Sequence, residues 1–131
     1  FYDSMNRSFK RFFTPEQNIC LDESMVGMKN RCSYIQYLPN KRHARFGIKK
    51  FEVCDSKSSY VLHSELYSGK GFLQDNSERA FSEKVVVHVL DKCDLLDKYY
   101  HLYTDNYYTK VPLANALLRR KTYLTGTVNK K

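Results

Sequence analysis

Ile19-Cys20-Leu21-Asp22-Glu23-Ser24 and Tyr100-His101-Leu102-Tyr103-Thr104-Asp105-Asn106 are two short apolar runs, each closed by an aspartate and a polar cluster. Runs of this length ending in turn residues read as buried strands whose last residue emerges at the sheet edge. If the two strands are neighbours, Asp22 and Asp105 meet. Two carboxylates there offer the hard oxygen ligands that hold divalent cations in two-metal phosphoryl transfer. Each aspartate has a plainer reading too, because Asp-Glu and Asp-Asn after a strand are ordinary turn chemistry.

Working outward, Phe9, Phe12 and Phe13 lie at helical spacing and Thr14-Pro15 ends that helix. Asn18 to Glu23 is the first strand, and residues 24 to 43 read as mostly loop. Arg45 to Cys54 and Ser59 to Tyr67 are strands joined by the polar turn Asp55-Ser56-Lys57-Ser58, with Asp55 expected to bond its own backbone. Ser68 to Asn76 is an exposed loop. The period then changes, and Phe81, Val85, Val89 and Leu96 predict a helix with Ser77 as N-cap and Glu78 in its first turn. Tyr99 to Thr104 is a strand. Pro112 opens a second helix with Leu113, Ala114, Leu117 and Leu118 inward and Arg119, Arg120 and Lys121 at its negative end. Tyr123 to Val128 is the last strand. After the opening helix the order is thus β-β-β-α-β-α-β, a mixed sheet with helices on its faces and the Asp22 and Asp105 strands side by side at its centre.

The 131 residues suit one domain with its own core. The start at Phe1 rather than Met is expected of a piece cut from a longer protein. No apolar stretch nears the roughly 20 residues that cross a bilayer, so no membrane partner is expected. Cys20, Cys32, Cys54 and Cys93 have no C-x-x-C spacing, which argues against zinc, and reduced cysteines are expected. The histidines likewise lack metal-ligand spacing.

The net charge of +8 is unevenly placed. Lys29, Arg31, Lys41, Arg42, Arg45, Lys49 and Lys50 meet no acid between Lys29 and Lys50, whereas Glu52 to Asp105 holds ten acids against six Lys and Arg. Segregated positive charge among Tyr34, Tyr37 and Phe46 suits a phosphate backbone. Lys29, Arg31, Lys41, Arg42, Arg45 and Lys49 are the candidate phosphate contacts, against the alternative of a solvated basic face. Tyr107 and Tyr108 are expected to pack in the core rather than stack on a flipped base.

Taken in order, Phe12-Phe13-Thr14-Pro15, Leu21-Asp22-Glu23-Ser24-Met25, Gln36-Tyr37-Leu38-Pro39-Asn40-Lys41, Gly47-Ile48-Lys49, Cys54-Asp55-Ser56, Leu102-Tyr103-Thr104-Asp105-Asn106-Tyr107-Tyr108-Thr109 and Tyr123-Leu124-Thr125-Gly126-Thr127-Val128 resemble the catalytic domain of piggyBac-like transposases. The resemblance runs nearly end to end, with departures at Asn30, Arg42 and Phe46, where that family usually has Gly, Pro and Trp. It implies an α/β fold, a ribonuclease H-like mixed β-sheet flanked by helices, truncated before the last catalytic helix. Residues 1–131 would be a partial DDE transposase catalytic domain.

Carried over, Asp22 and Asp105 would be the first two catalytic, metal-binding aspartates, and a third would lie on a helix beyond the last strand. The resemblance further implies Mg²⁺ or Mn²⁺ as cofactor, DNA as partner, excision and integration at TTAA through a hairpin intermediate, and a nuclear location. It allows a homodimer of the full-length protein. The fragment alone is expected to be inactive. The alternative is a domesticated, non-catalytic DNA-binding or chromatin-associated module.

Overall fold

The structure is a computed structural model that describes residues 1–43, 45–73 and 76–130. Its elements are α1 (Tyr2–Phe12), β1 (Asn18–Gly27), β2 (Ile35–Tyr37), β3 (Phe46–Asp55), β4 (Val61–Leu66), α2 (Phe81–Lys92), β5 (His101–Thr104), α3 (Val111–Arg119) and β6 (Tyr123–Gly126). They build a six-stranded sheet ordered β2-β3-β1-β5-β6, with β4 also pairing β3. β1 is central. It runs antiparallel to β3 and parallel to β5.

Period-two alternation gives the sheet two unlike faces. Ile19 and Leu21 of β1, Phe51 and Val53 of β3 and Leu102 of β5 are buried on one side, against Val85, Val86, Val89 and Leu90 of α2 and Leu113 and Leu117 of α3. Burying each of these large side chains contributes about 1.5–3 kcal/mol, so this face holds the molecule together. The register places Cys20, Asp22, Glu52 and Tyr103 on the other side, where Asp22, Tyr103 and Tyr123 are exposed.

α1 lies along β4, where the Asn6 side chain substitutes for a neighbouring strand. Its Nδ2 donates to the Ser64 carbonyl and its Oδ1 accepts from the Ser64 amide, both at 2.9 Å. Those two bonds satisfy backbone groups that an open edge would leave unpaired. Tyr60 packs between Phe9 and Phe13 and donates its hydroxyl to the Phe9 carbonyl, fixing the helix end at Thr14-Pro15.

Several boundaries differ from the sequence reading, each for a physical reason. Asp22 does not close β1. The strand continues to Gly27 because β3 supplies partners as far as Gly27↔Gly47. Residues 24 to 43 are not all loop, since Ile35–Tyr37 pairs with Phe46–Ile48 as β2. Ala80, not Ser77, is the N-cap of α2, and that helix ends at Lys92 with Leu95 and Leu96 buried beyond it. Leu118 points outward, because only Leu113 and Leu117 fall on the sheet-facing stripe. β6 stops at Gly126. Gln74 and Asp75 of the expected 68–76 loop lie outside the described residues. Asn30, where a glycine was the expected residue, keeps an ordinary negative φ.

Asp55 behaves as its turn position predicts. It accepts from the Ser58 amide and hydroxyl at 2.8 and 2.7 Å and from the Glu16 amide at 3.2 Å. These donors hold its carboxyl below the usual range.

Candidate divalent-cation and nucleic-acid site

The parallel ladder pairs Asn18 with His101, Ile19 with Leu102 and Cys20 with Tyr103. Continuing that register by two residues sets Asp22 level with Asp105, on strands about 4.8 Å apart and on the same face. Asp22 sits within β1, and Asp105 follows β5 directly. Each carboxylate is steadied by a local amide: Asp22 Oδ1 accepts from Glu23 N–H at 2.8 Å, and Asp105 Oδ1 from Tyr107 N–H at 3.0 Å.

The Asp105 turn is knotted by Thr109, whose amide and Oγ1 both donate to the Asp105 carbonyl, at 3.0 and 2.6 Å. Thr109 Oγ1 also lies 2.8 Å from Thr104 Oγ1. Gly126 of β6 passes so close that a Cβ there would meet Thr109 Oγ1 and lie 2.5 Å from the Thr104 carbonyl oxygen. The small residue is needed for β6 to seal this turn.

Partial desolvation raises the Asp22 carboxyl above its usual value, reinforced by Glu23 and by the like charge of Asp105 against the opposing pull of the Glu23 amide. A partly desolvated carboxylate with other anions beside it is one that a cation would relieve. Glu23 is tied differently. Its burial works to raise its pKa, but the Tyr108 hydroxyl, donating to Oε2 at 2.7 Å, together with Asp22 and Lys49, lowers it on balance. Tyr108 is fully buried, and burial with the Glu23 bond pushes its phenol up. The Glu23–Tyr108 bond therefore joins the strand that carries Asp22 to the turn that carries Asp105. The sequence reading treated both as structural and missed that link. Its only signal was Glu23 next to Asp22 and Tyr108 three residues after Asp105.

Among the described residues, no group of three or more His, Cys, Asp or Glu side chains forms a complete metal cage. Asp22 and Asp105 fit a hard divalent cation in donor type, as two carboxylates of a larger set. Three of the four histidines are engaged elsewhere, and His43 is exposed near β2. His63 Nε2 lies 2.8 Å and His88 Nε2 3.8 Å from Glu65, and His101 Nε2 lies 2.6 Å from Thr125 Oγ1.

Of the basic candidates, Lys29, Arg31, Lys41, Arg42 and Arg45 are exposed in the segments around β2. Lys29 and Arg31 line an open groove of about 840 Å³ with Met28, Ile35 and Phe46 among its walls. Tyr37 and Phe46 pair across β2 and β3 with rings stacked at 4.6 Å, beside that groove. Along the chain the groove begins at Met28, just past the end of β1 and six residues beyond Asp22, about 20 Å away at strand rise.

Lys49 lies elsewhere. Its ammonium sits 5.1 Å from the Phe51 ring centroid and 5.6 Å from that of Tyr67, on the face opposite Asp22. Lys50, its neighbour, shares the Asp22 face and pairs with Glu52 at 2.6 Å. Alternation from the apolar Phe51 and Val53 was the signal that separates these two lysines. Ser24, opposite Lys50 in the ladder, keeps a buried hydroxyl with no hydrogen-bond partner among the described residues.

The family described as Transposase IS4 matches residues 1–131. The chain is also similar to a piggyBac transposase solved by cryo-EM in a synaptic complex with hairpin DNA. That match has a TM-score of 0.88 and 29% identity, and it covers 99% of this chain and 27% of the other. The chain thus spans about a quarter of the length of the transposase it matches, and the ribonuclease H-like α/β fold is shared along nearly all of its own.

Proposed function

Because the chain belongs to the Transposase IS4 family, we propose that it contributes the first two acidic ligands of a DDE-type DNA transposase acting in the nucleus. The observation that carries this reading is the parallel pairing of β1 and β5, which brings Asp22 and Asp105 level on the open sheet face. Asp22 and Asp105 would hold Mg²⁺ or Mn²⁺. Such ions, when bound, stabilise charge on the attacking and leaving oxygens of a phosphodiester displacement. DNA is the substrate, as it is in the complex of the similar transposase.

The chain's own groups do the rest. The Glu23–Tyr108 bond and the Thr109 knot keep the two carboxylates from drifting apart under their mutual repulsion. Lys29, Arg31, Lys41, Arg42 and Arg45 take backbone phosphates, the groove that Lys29 and Arg31 line lying about six base-pair steps from Asp22 at 3.4 Å per step. Such contacts orient the duplex without reading its sequence. Lys49 supports the site from beneath, through Phe51, Tyr67 and the charge of Glu23.

Two carboxylates are fewer than this chemistry needs, so the chain alone should bind a divalent ion weakly and leave DNA uncut. Mn²⁺ titration followed by water-proton relaxation tests the first statement. Binding should be lost in Asp22→Asn and in Asp105→Asn, and binding indifferent to both substitutions overturns the assignment. Robust Mg²⁺-dependent nicking, abolished by Asp22→Ala, would show that a third acid is dispensable.

A further inference from the structure

The proposed site makes no use of the two thiols beside it. Cys20 of β1 and Cys54 of β3 are direct partners in the antiparallel ladder, one pair from Ile19↔Asp55 and two from Asp22↔Glu52. Both are unbridged and half-buried, on the sheet face that Asp22 shares. The Cys20 thiol leans on the partner strand, its Sγ 3.6 Å from the Cys54 carbonyl oxygen. Directly opposed residues in an antiparallel pair have Cα atoms about 4.5–5.5 Å apart, inside the roughly 4.4–6.8 Å window of disulfides. The remaining cysteines differ: Cys32 is exposed near β2 and Cys93 is buried behind α2.

We propose that Cys20 and Cys54 form a peroxide-reactive dithiol that closes to a disulfide across β1 and β3, a modification site one pleat from Asp22. One thiol, as its thiolate, attacks a peroxide oxygen. The O–O bond breaks, the departing hydroxide takes up that thiol's proton as water, and a sulfenic acid remains. The second sulfur then attacks the sulfenic sulfur, the S–O bond breaks, and the second thiol's proton leaves with the hydroxide as another water. Two thiols lose two electrons in total, and one peroxide becomes two waters. In a reducing compartment such a bond is transient and signals oxidant. Its consequence for Asp22 rests on the divalent-cation reading: the link constrains the strand separation beside that carboxylate, so the oxidised chain should bind Mn²⁺ several-fold more weakly.

The test is limited hydrogen peroxide on the whole chain, followed by alkylation and non-reducing peptide mapping. A linked Cys20–Cys54 peptide, with two of the four cysteines still alkylated, is expected. Cys54→Ser should abolish the link and leave Cys20 as a sulfenic acid that dimedone traps. Phenylarsine oxide, which bridges neighbouring thiols, should bind the untreated chain one-to-one and lose that binding in Cys20→Ser. Oxidation confined to Cys32, or linkages shared equally with Cys93, overturns the proposal. A linked peptide with no Mn²⁺ binding to the reduced chain supports the dithiol and overturns the divalent-cation reading instead.

Discussion

Asp22 and Asp105 cost the fold something. Both are anions on adjacent strands, and desolvation with mutual repulsion lifts the Asp22 carboxyl. Removing one charge should therefore help the chain fold while it harms ion binding, the usual sign of a functional group kept against stability. Asp22→Asn is expected to raise the chemical denaturation midpoint, and a midpoint that falls instead would show that this charge does not strain the fold. Tyr108→Phe should act the other way. It leaves a half-buried Glu23 without its donor, at a cost of about 1–3 kcal/mol in urea unfolding. It should also weaken Mn²⁺ binding, because the two aspartate segments lose their shared bond. A Tyr108→Phe chain of unchanged stability would mean that water replaces the phenol freely. The Tyr108–Glu23 bond was illegible in the sequence because its partners stand far apart in the chain. Period-two alternation does predict that Glu23 points away from Asp22.

At the scale of elements, the site depends on pieces that are themselves held by a few contacts. Asn6 serves both backbone groups of Ser64. Asn6→Ala should therefore release α1 from β4, costing about 1–3 kcal/mol for the two unmet groups. Hydrogen exchange should show faster protection loss at the Ser64 amide than at Leu21 in the central strand. Gly126 marks the other dependence. A Cβ at that position presses on Thr109 and the Thr104 carbonyl, so Gly126→Ala should disorder the Asp105 turn before it unfolds the core. Loss of the Tyr107 and Thr109 amide protection in exchange spectra is the observable, and retained protection would show that β6 yields instead. These elements also explain where the sequence reading went astray. β2 is only three residues long and exists because Phe46–Ile48 offers it a free edge. Neither propensity nor pattern in so short a segment can announce a partner that lies elsewhere.

For the whole molecule, charge sets the response to acid and to salt. Glu65, from β4, is gripped by His63 at 2.8 Å and by Lys92 of α2 at 2.9 Å. Burial alone would raise its pKa, but those hydrogen bonds and charges bring it down from 4.5 to about 2. A depressed carboxyl stabilises the folded state fully above its unfolded value and loses that contribution as pH falls through its folded value. Stability should thus decline between about pH 5 and 2, and Glu65→Gln should remove roughly 2–3 kcal/mol of that pH-dependent part. An acid-unfolding curve unchanged by the substitution would place the sensitivity elsewhere. Salt acts on the opposite pole. DNA binding through Lys41, Arg42 and Arg45 should weaken steeply with ionic strength, and reversing all three charges should flatten the slope by about two to three units of log K per log salt. Affinity indifferent to salt would remove the electrostatic argument.

The chain's own order of residues determined the class of fold, the alternation that makes one sheet face apolar, both helix periods, and the two aspartates, because these follow from short-range pattern and from chemistry that each residue carries with it. Only the tertiary structure decided that β1 runs on past Asp22, that the Lys49 ammonium sits over the Phe51 and Tyr67 rings, that Tyr108 braces Glu23, and that Cys20 stands against Cys54. Those facts are set by strand register and packing between distant segments. Register is a property of pairs, fixed by the summed burial of a whole face, and no single stretch of sequence contains it.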